Sequence, residues 1–289
     1  MPVQIKTVQC LSPAGLHKMA YKEWGDPSNQ KVLVCVHGVT RVSDDFDALA
    51  QAMEHEYRVI CPDVVGRGRS DWLANPQSYQ IPQYVSDMVT LLARLNATTV
   101  DWFGTSMGGL IGIGLAAMKE SPIRKLLLND VGPSLNFEAL QRIGQYIGED
   151  VRFDHFDDAV KFIREISASF GKHSDAQWEK LARDVLKQNA EGKWMRHYDL
   201  KLSIPVKATT QEVAAMGQAM LWGMYDAIQA ETLVVRGSDS DLLTVDAVLE
   251  MQKRGPKARS IEIPAVGHAP TFVHADQIAI AQDFFMGKA

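Results

Sequence analysis

The chain alternates between short apolar runs and longer segments of helical periodicity, and this alternation restricts its possible folds more than any other feature. The run KVLVCV at residues 31–36 is apolar at nearly every position, as expected for a strand buried on both faces of a parallel sheet. Similar runs occur at 57–61, 99–103 and 125–129, and helical patterns separate them. The sequence therefore predicts an α/β fold built from repeated βα units.

The expected domain organisation follows from how the alternation of strands and helices begins and where it is interrupted. Strands predicted at 3–11 and 16–24 are separated by the turn-forming sequence SPAG, which indicates a hairpin. After residue 133 the alternation stops, and residues 134–229 show only helical patterns before strands and helices alternate again. We therefore predict one α/β body formed by residues 1–133 and 230–289, with a helical insertion at 134–229.

Composition excludes several classes of protein. The 289 residues are 46% hydrophobic and carry a formal charge of −5, which argues against disorder and against a nucleic acid or anionic membrane as partner. The three cysteines contain no CxxC pair, so neither a disulfide framework nor a zinc cluster is expected. The N-terminus lacks a signal-peptide pattern, and no apolar run is long enough to span a membrane. A soluble, cytoplasmic protein is expected.

The segment VDWFGTSMGGL contains the sequence with the clearest chemical meaning. Its GTSMG places Ser106 between a predicted strand and a predicted helix, which is the context of a nucleophile elbow. In such a turn the strained serine projects its hydroxyl above the sheet, and side chains at Gly104 and Gly108 would collide with neighbouring elements. Ser106 is therefore predicted to be a catalytic nucleophile.

A serine nucleophile needs a base, and that base needs an orienting acid. His268, in AVGHAPTF after the last predicted strand, is the candidate base, because open α/β sheets place their sites at strand ends. Three carboxylates could orient it. Asp241 is preferred, since Leu242-Leu243 can pin its loop, while Asp239 in the same loop and Asp130 after another strand stay open.

Hydrolysis also requires hydrogen-bond donors for the developing oxyanion. The backbone N–H of Met107, at the start of the helix after Ser106, is one candidate. The second is expected from the HGVT loop after the strand at 31–36, with the Val39 N–H as donor. His37 in that loop is expected to brace it, because His268 already serves as base.

The ordered motifs VHGVT, CPDVVGRGRSD, GTSMGG, RGSDSDLL and VGHAPTF resemble the α/β-hydrolase superfamily across almost the whole chain. Within this superfamily, the sequence resembles the capped carboxylesterase and enol-lactone-hydrolase-like branch. This resemblance implies an eight-stranded, mostly parallel sheet flanked by helices, with residues 134–229 forming a cap over the site. It also implies that Arg67 and Arg69 brace the fold.

The resemblance implies a serine hydrolase that cleaves a small carboxylic ester or lactone through an acyl-enzyme, without metal or other cofactor. Serine at the nucleophile position disfavours epoxide hydrolysis and dehalogenation, and Thr105 weakens carbon–carbon hydrolysis. Cofactor-free peroxidation, carbon–carbon hydrolysis and ligand sensing with slow turnover are the alternatives. Met220 and Trp222, near the end of the insertion, are predicted to line the substrate pocket.

Overall fold

The structure is a computed structural model, and it describes residues 2–287. No helix within these residues is both long and apolar enough to cross a membrane. The β-strands, in chain order, are β1 (Gln4–Ser12), β2 (Gly15–Trp24), β3 (Val32–Val36), β4 (Arg58–Pro62), β5 (Val100–Thr105), β6 (Ile123–Asn129), β7 (Arg152–Phe153), β8 (Leu186–Gln188), β9 (Trp194–Arg196), β10 (Glu231–Gly237) and β11 (Arg259–Ile263). The α-helices are α1 (Asp47–Met53), α2 (Ile81–Leu95), α3 (Met107–Ala116), α4 (Phe137–Tyr146), α5 (Phe156–Ile166), α6 (Asp175–Val185), α7 (Ser203–Lys207), α8 (Gln211–Ala227), α9 (Val245–Met251) and α10 (Ala275–Met286).

Eight strands form one sheet in the order β1-β2-β4-β3-β5-β6-β10-β11. The predicted hairpin is present, since β1 pairs antiparallel with β2 and Leu11 lies opposite Leu16. The β2–β4 pair is also antiparallel, and the pairs from β4 to β11 are parallel. The predicted α/β fold with an eight-stranded, mostly parallel sheet is therefore confirmed.

Strand β3 shows why its sequence is apolar at every position. All of its residues are buried, because side chains alternate between the two faces of the sheet and helices cover both faces. Val34 packs in the cluster that contains Met88 of α2, whereas Leu33 packs on the opposite face with Leu49 of α1. Cys35 lies in that second cluster as a buried free thiol.

The parallel strands bring four sequence motifs to one edge of the sheet. Strand β3 ends one residue before His37, β5 ends one residue before Ser106, and β6 ends one residue before Asp130. His268 lies in the loop after β11, which pairs with β10 beside β6. Because parallel strands end at the same edge, residues distant in the sequence become neighbours there.

The segment between β6 and β10 contains α4 to α8, in agreement with the predicted helical patterns. It also contains a small antiparallel sheet in the order β7-β9-β8, which the sequence analysis did not predict. These strands have only two or three residues, so they are too short to show an alternating pattern. That residues 134–229 form a separate cap, with boundaries at 134 and 229, stays a prediction.

Candidate active site

Ser106 occupies the sharp turn between the end of β5 and the start of α3. Its backbone φ of 51° and ψ of −116° are unusual and costly for a residue other than glycine. The Ser106 N–H donates a hydrogen bond of 3.0 Å to the carbonyl of Asn129 on the neighbouring strand, which holds this conformation in place. The turn has the geometry of a nucleophile elbow, with the serine at the carboxyl edge of the sheet.

The two glycines that flank Ser106 are required by close backbone contacts. A Cβ at Gly104 would lie 2.4 Å from the carbonyl oxygen of Gly108. A Cβ at Gly108 would lie 2.0 Å from the carbonyl oxygen of Val36 on β3. Both separations are far below van der Waals contact, so the helix and the strands can approach this closely only with glycine at both positions.

His268 connects Ser106 to a buried carboxylate. Its Nε2 lies 3.0 Å from Ser106 Oγ, and its Nδ1 lies 2.7 Å from Asp130 Oδ2. An ionised carboxylate only accepts hydrogen bonds, so the Nδ1–H donates to Asp130 and Nε2 keeps a lone pair. That lone pair can accept the proton of the Ser106 hydroxyl, which is the arrangement a general base requires.

Asp130 is completely buried, and hydrogen bonds fix its orientation. Its Oδ1 accepts a bond of 3.0 Å from the Gly237 N–H at the end of β10. Its Oδ2 accepts a bond of 2.6 Å from the Ser240 hydroxyl, in addition to the bond from His268. Three donors thus surround the carboxylate, and they offset the cost of burying its charge.

The structure corrects the choice of carboxylate made from the sequence. Asp241 does not contact His268, because its side chain is half exposed and pairs with Arg142 at 2.6 Å. Asp239 is also exposed, and it accepts a hydrogen bond from Ser238. The preference for Asp241 as partner of His268 is therefore wrong, and the partner is Asp130, the third alternative. The order of residues in the chain did not reveal this, because β6 and β10 are adjacent only in the sheet.

Both residues that carry the predicted oxyanion donors are neighbours of Ser106. A Cβ built on Gly38 would lie 3.7 Å from the Ser106 Cβ, so the loop that carries Val39 packs directly against the serine. Within residues 2–287, the Val39 N–H donates no hydrogen bond to another protein group. Met107 is the first residue of α3, and the N–H of a first helical residue has no acceptor within the helix. Both N–H groups are therefore available to a ligand.

His37 fixes the peptide that carries the Val39 N–H. Its Nδ1 lies 2.8 Å from the carbonyl oxygen of Gly38, and its Nε2 accepts a hydrogen bond of 3.0 Å from the Val64 N–H. In a trans peptide the N–H and C=O point in opposite directions. Anchoring the Gly38 carbonyl to His37 therefore turns the Val39 N–H away from His37. This agrees with the predicted bracing role of His37.

Arg67 stabilises the same loop, the one that carries Val39, through a hydrogen bond. Its side chain is buried, and its Nε donates a hydrogen bond of 2.8 Å to the Val39 carbonyl. A second nitrogen lies 3.3 Å from the Met107 sulfur, and the guanidinium lies 4.9 Å from the centre of the Tyr84 ring. Arg67 thus contacts both residues that carry the candidate oxyanion donors, and it braces the fold as its motif predicted.

Two cavities meet at Ser106 and Val39. One has a volume of about 100 Å³ and contains His268 and Ala269 in its wall, together with residues of the insertion. The other has a volume of about 900 Å³, and its wall is mainly apolar. Its lining includes the following residues of α3, α4 and α8: Met107, Leu110, Leu140, Val213, Ala214 and Gly217.

Met220 and Trp222 line neither of these cavities. Met220 is 63% exposed, and Trp222 packs against Tyr225 and beneath the guanidinium of Arg254, whose central carbon lies 4.2 Å from the indole ring centre. The prediction that these two residues line the substrate pocket is therefore wrong. Both residues lie in the second half of α8, whereas the residues of α8 that line the larger cavity, such as Val213 and Gly217, lie in its first half. Helical spacing alone did not show which part of α8 faces the site.

The sequence pattern of the alpha/beta hydrolase fold family matches residues 31–275. The chain belongs to this family. It is 57% identical over 283 residues to a 3-hydroxybutyrate-oligomer hydrolase of Cupriavidus necator, covering 97% of both chains. An esterase of Mycobacterium tuberculosis is 26% identical and is matched over 88% of this chain and 80% of its own length. The predicted family and the predicted ester-hydrolase activity are confirmed by these relationships.

Two solved structures have the same architecture as this α/β-hydrolase. An α/β-hydrolase from Novosphingobium aromaticivorans superposes with a TM-score of 0.86 at 30% sequence identity, over 99% of each chain. The E-2-(acetamidomethylene)succinate hydrolase structure superposes with a TM-score of 0.81 at 17% identity, which shows the shared fold alone.

One cluster of metal-ligand side chains lies elsewhere in this α/β-hydrolase, between the β1–β2 hairpin and α2. Cys10, His17 and Asp87 are buried, and their ligand atoms lie within 4.8 Å of one another. His17 Nε2 and Asp87 Oδ2 form a hydrogen bond of 3.0 Å. Burial and the Asp87 charge raise the pKa of the Cys10 thiol to about 12, so it is a poor source of a thiolate ligand. We interpret this cluster as a buried structural contact of the hydrolase.

The buried position of His37 predicts a specific dependence of stability on pH. Burial lowers the pKa of His37 in the folded hydrolase from 6.5 to about 4, so the unfolded chain binds the proton first. Stability from this group is complete above pH 6.5 and is lost as the pH falls towards 4, by about 3 kcal/mol. Urea titrations between pH 7.5 and 4.5 should show a shallower pH dependence for His37→Gln than for the wild type. Parallel curves would contradict this assignment.

Proposed function

We propose that this hydrolase cleaves the ester bonds of short 3-hydroxyalkanoate oligomers through an acyl-enzyme on Ser106. The observation that carries the proposal is the full-length relationship to the Cupriavidus necator hydrolase. The hydrogen-bond chain from Asp130 through His268 to Ser106 supports the mechanism, because it provides a nucleophile, a base and an orienting acid. The substrate class is a small-molecule ester.

In the first half of the reaction, Ser106 Oγ attacks the ester carbonyl carbon and its proton passes to His268 Nε2. The carbonyl π electrons move onto the oxygen and then return, which expels the alcohol oxygen of the substrate. His268 gives its proton to that leaving oxygen, so the alcohol departs neutral and the acyl group stays on Ser106. Asp130 keeps the imidazole in its productive tautomer and stabilises the imidazolium.

The negative charge on the carbonyl oxygen is stabilised by the N–H groups of Val39 and Met107. Both are backbone donors held by packed elements, so little reorganisation is needed when the charge develops. Met107 lies at the N-terminus of α3, where the helix dipole also favours an anion. His37 and Arg67 support this arrangement through the Gly38 and Val39 carbonyls.

In the second half, a water molecule attacks the acyl carbon after His268 removes one of its protons. The tetrahedral intermediate collapses, Ser106 leaves as the alcohol, and the acid is released. The overall reaction consumes one water for each ester bond cleaved. We propose that residues 134–229 form a cap over the site, because α4, α5 and α6 contribute residues to the wall of the small cavity, and α4, α7 and α8 contribute residues to the wall of the large one.

The two cavities suit the two halves of an ester. His268 must reach the leaving oxygen, so the small cavity beside His268 is assigned to the alcohol half. The large apolar cavity beside Met107 is assigned to the acyl half, which would be the remaining oligomer. An apolar wall suits the methyl groups of a hydroxybutyrate chain.

The substrate assignment predicts efficient turnover of hydroxybutyrate dimers and trimers. We expect kcat/KM for the 3-hydroxybutyrate dimer to exceed that for ethyl butyrate by at least tenfold, since the larger substrate makes more contacts with the walls of both cavities. Product acids can be quantified by chromatography with purified protein. Equal rates on both esters would contradict the oligomer assignment, and acylation without turnover on all of them would favour a ligand-sensing protein.

A further inference from the structure

The small cavity beside His268 has an unusual distribution of charge. Three arginines, Arg41, Arg142 and Arg196, contribute to its wall, and no aspartate or glutamate is among its lining residues in the described part of the chain. Cavity walls of one sign attract ligands of the opposite sign. An arginine of this wall whose charge is not already compensated would therefore favour an anionic group on the alcohol half of the substrate.

Two of these arginines, Arg41 and Arg142, already form close ion pairs with carboxylates. Arg41 forms two hydrogen bonds with Asp45, of 2.7 and 2.6 Å. Arg142 donates two hydrogen bonds, of 3.0 and 2.6 Å, to one oxygen of Asp241. Their positive charges are largely compensated, and both guanidinium groups are held in place by these pairs.

Arg196, at the end of β9, is different because it is buried and only weakly paired. The residue is 4% exposed, and among residues 2–287 its Nε has no hydrogen-bond partner. One terminal nitrogen lies 3.4 Å from the Tyr146 carbonyl and 3.8 Å from the half-exposed Glu149 carboxylate. A buried guanidinium whose charge is only weakly compensated is costly, and an anion beside it would reduce that cost.

Two aromatic rings contact the Arg196 guanidinium and restrict its position. Its guanidinium carbon lies 5.3 Å from the centre of the Phe162 ring and 5.6 Å from that of Tyr198. Such contacts restrict the side chain and compensate part of its desolvation. Arg196 is therefore a preorganised donor in the wall of the cavity that also contains His268.

We propose that Arg196 binds the free carboxylate of the leaving unit, so that the enzyme removes one hydroxyacid at a time from the carboxylate end of the oligomer. This inference rests on the function proposed above. In a 3-hydroxyacid unit, two carbon atoms separate the leaving oxygen from the carboxylate carbon, so His268 and Arg196 would act on one small group. The cavity volume of about 100 Å³ suits a single unit rather than a chain of them.

The first test uses the wild-type enzyme and needs no variant. The 3-hydroxybutyrate trimer is compared with its methyl ester, which differs only in lacking the terminal charge. We expect kcat/KM to be about 10- to 100-fold higher for the free acid, mainly through KM, as for a charge-assisted hydrogen bond. Equal values for the two trimers would overturn the proposal.

The second test identifies the end that is cleaved. A trimer carrying ¹³C only in its carboxylate-terminal unit should release labelled monomer and unlabelled dimer in the first turnover, as measured by mass spectrometry. Label in the dimer would show cleavage from the hydroxyl end and would overturn the proposal.

The third test removes the guanidinium. Arg196→Gln should reduce the preference for the free acid over the methyl ester to about 1- to 3-fold. Arg196→Lys, which keeps the charge but loses the planar fork, should retain an intermediate preference. The matched control is Arg152→Gln, an exposed arginine of the same small sheet that pairs with Asp150, and its preference should equal that of the wild type. An undiminished preference in Arg196→Gln would overturn the assignment.

These measurements also separate the two proposals. Turnover of both trimers without a preference for the free acid would leave the oligomer-hydrolase function intact and remove the role of Arg196. Hydrolysis of simple butyrate esters but of neither trimer would contradict the oligomer-hydrolase function, and the carboxylate-end inference with it.

Discussion

Ser106→Ala is expected to lower kcat by about 10⁴- to 10⁶-fold on hydroxybutyrate oligomers and on simple butyrate esters alike. The substitution removes the only atom that forms the proposed acyl bond. His268 and Asp130 then have no hydroxyl to activate, and only binding and oxyanion stabilisation remain. Stopped assays at high enzyme concentration measure the residual rate.

The control for this variant is Ser86→Ala, which changes an exposed serine on α2. It should keep wild-type activity and covalent labelling. Treatment of the wild type with a fluorophosphonate should add one label to the peptide containing Ser106, and Ser106→Ala should stay unlabelled. A loss of activity below about 10³-fold, or a label on another residue, would contradict the assignment of Ser106.

Asp130→Asn is expected to lower kcat by about 10⁴-fold with little change in KM. An asparagine amide can donate to His268 Nδ1, which would place the imidazole proton on Nε2, facing Ser106. In that tautomer the imidazole cannot accept the serine proton. The same amide N–H would also face the Ser240 hydroxyl, which donates to the carboxylate in the native structure, so two donors would meet there.

The matched controls are Asp241→Asn and Asp239→Asn, which change the other two carboxylates considered from the sequence. Both are exposed, and the Asp241–Arg142 pair is half exposed at each partner, so we expect changes in kcat of about threefold or less. Thermal unfolding of all three variants separates loss of activity from loss of fold. A greater loss in Asp241→Asn than in Asp130→Asn would restore the choice made from the sequence.

Local sequence patterns were sufficient to predict most of the α/β body. The fully buried β3 appears as an uninterrupted apolar run, because a strand covered on both faces has no polar side. Helix α2 is similarly visible in the sequence, because its buried positions, among them Val85, Met88, Leu91 and Leu95, recur with helical spacing. The β7-β9-β8 sheet was missed, because two or three residues cannot show a period.

The same limit explains the errors at the site. Met220 and Trp222 are two residues apart and therefore lie on different sides of α8, and the local sequence does not show whether either side meets the core, a cavity or solvent. Arg196 gave no sequence signal, since a single arginine in a three-residue strand looks like any surface arginine. Its significance depends on its burial and on its Nε, which has no hydrogen-bond partner among residues 2–287, and both are properties of the assembled fold.

The sequence by itself determined the βα order of the chain, the elbow at Ser106 and the candidate base His268. These features depend on contacts within a few residues, such as a strand, a tight turn and the glycines beside it. Only the tertiary structure decided which carboxylate reaches His268 and which arginine is buried in the cavity wall with only weak partners. Those outcomes depend on strand order in the sheet, which placed the end of β6 beside β10, and on the packing of the insertion over that edge.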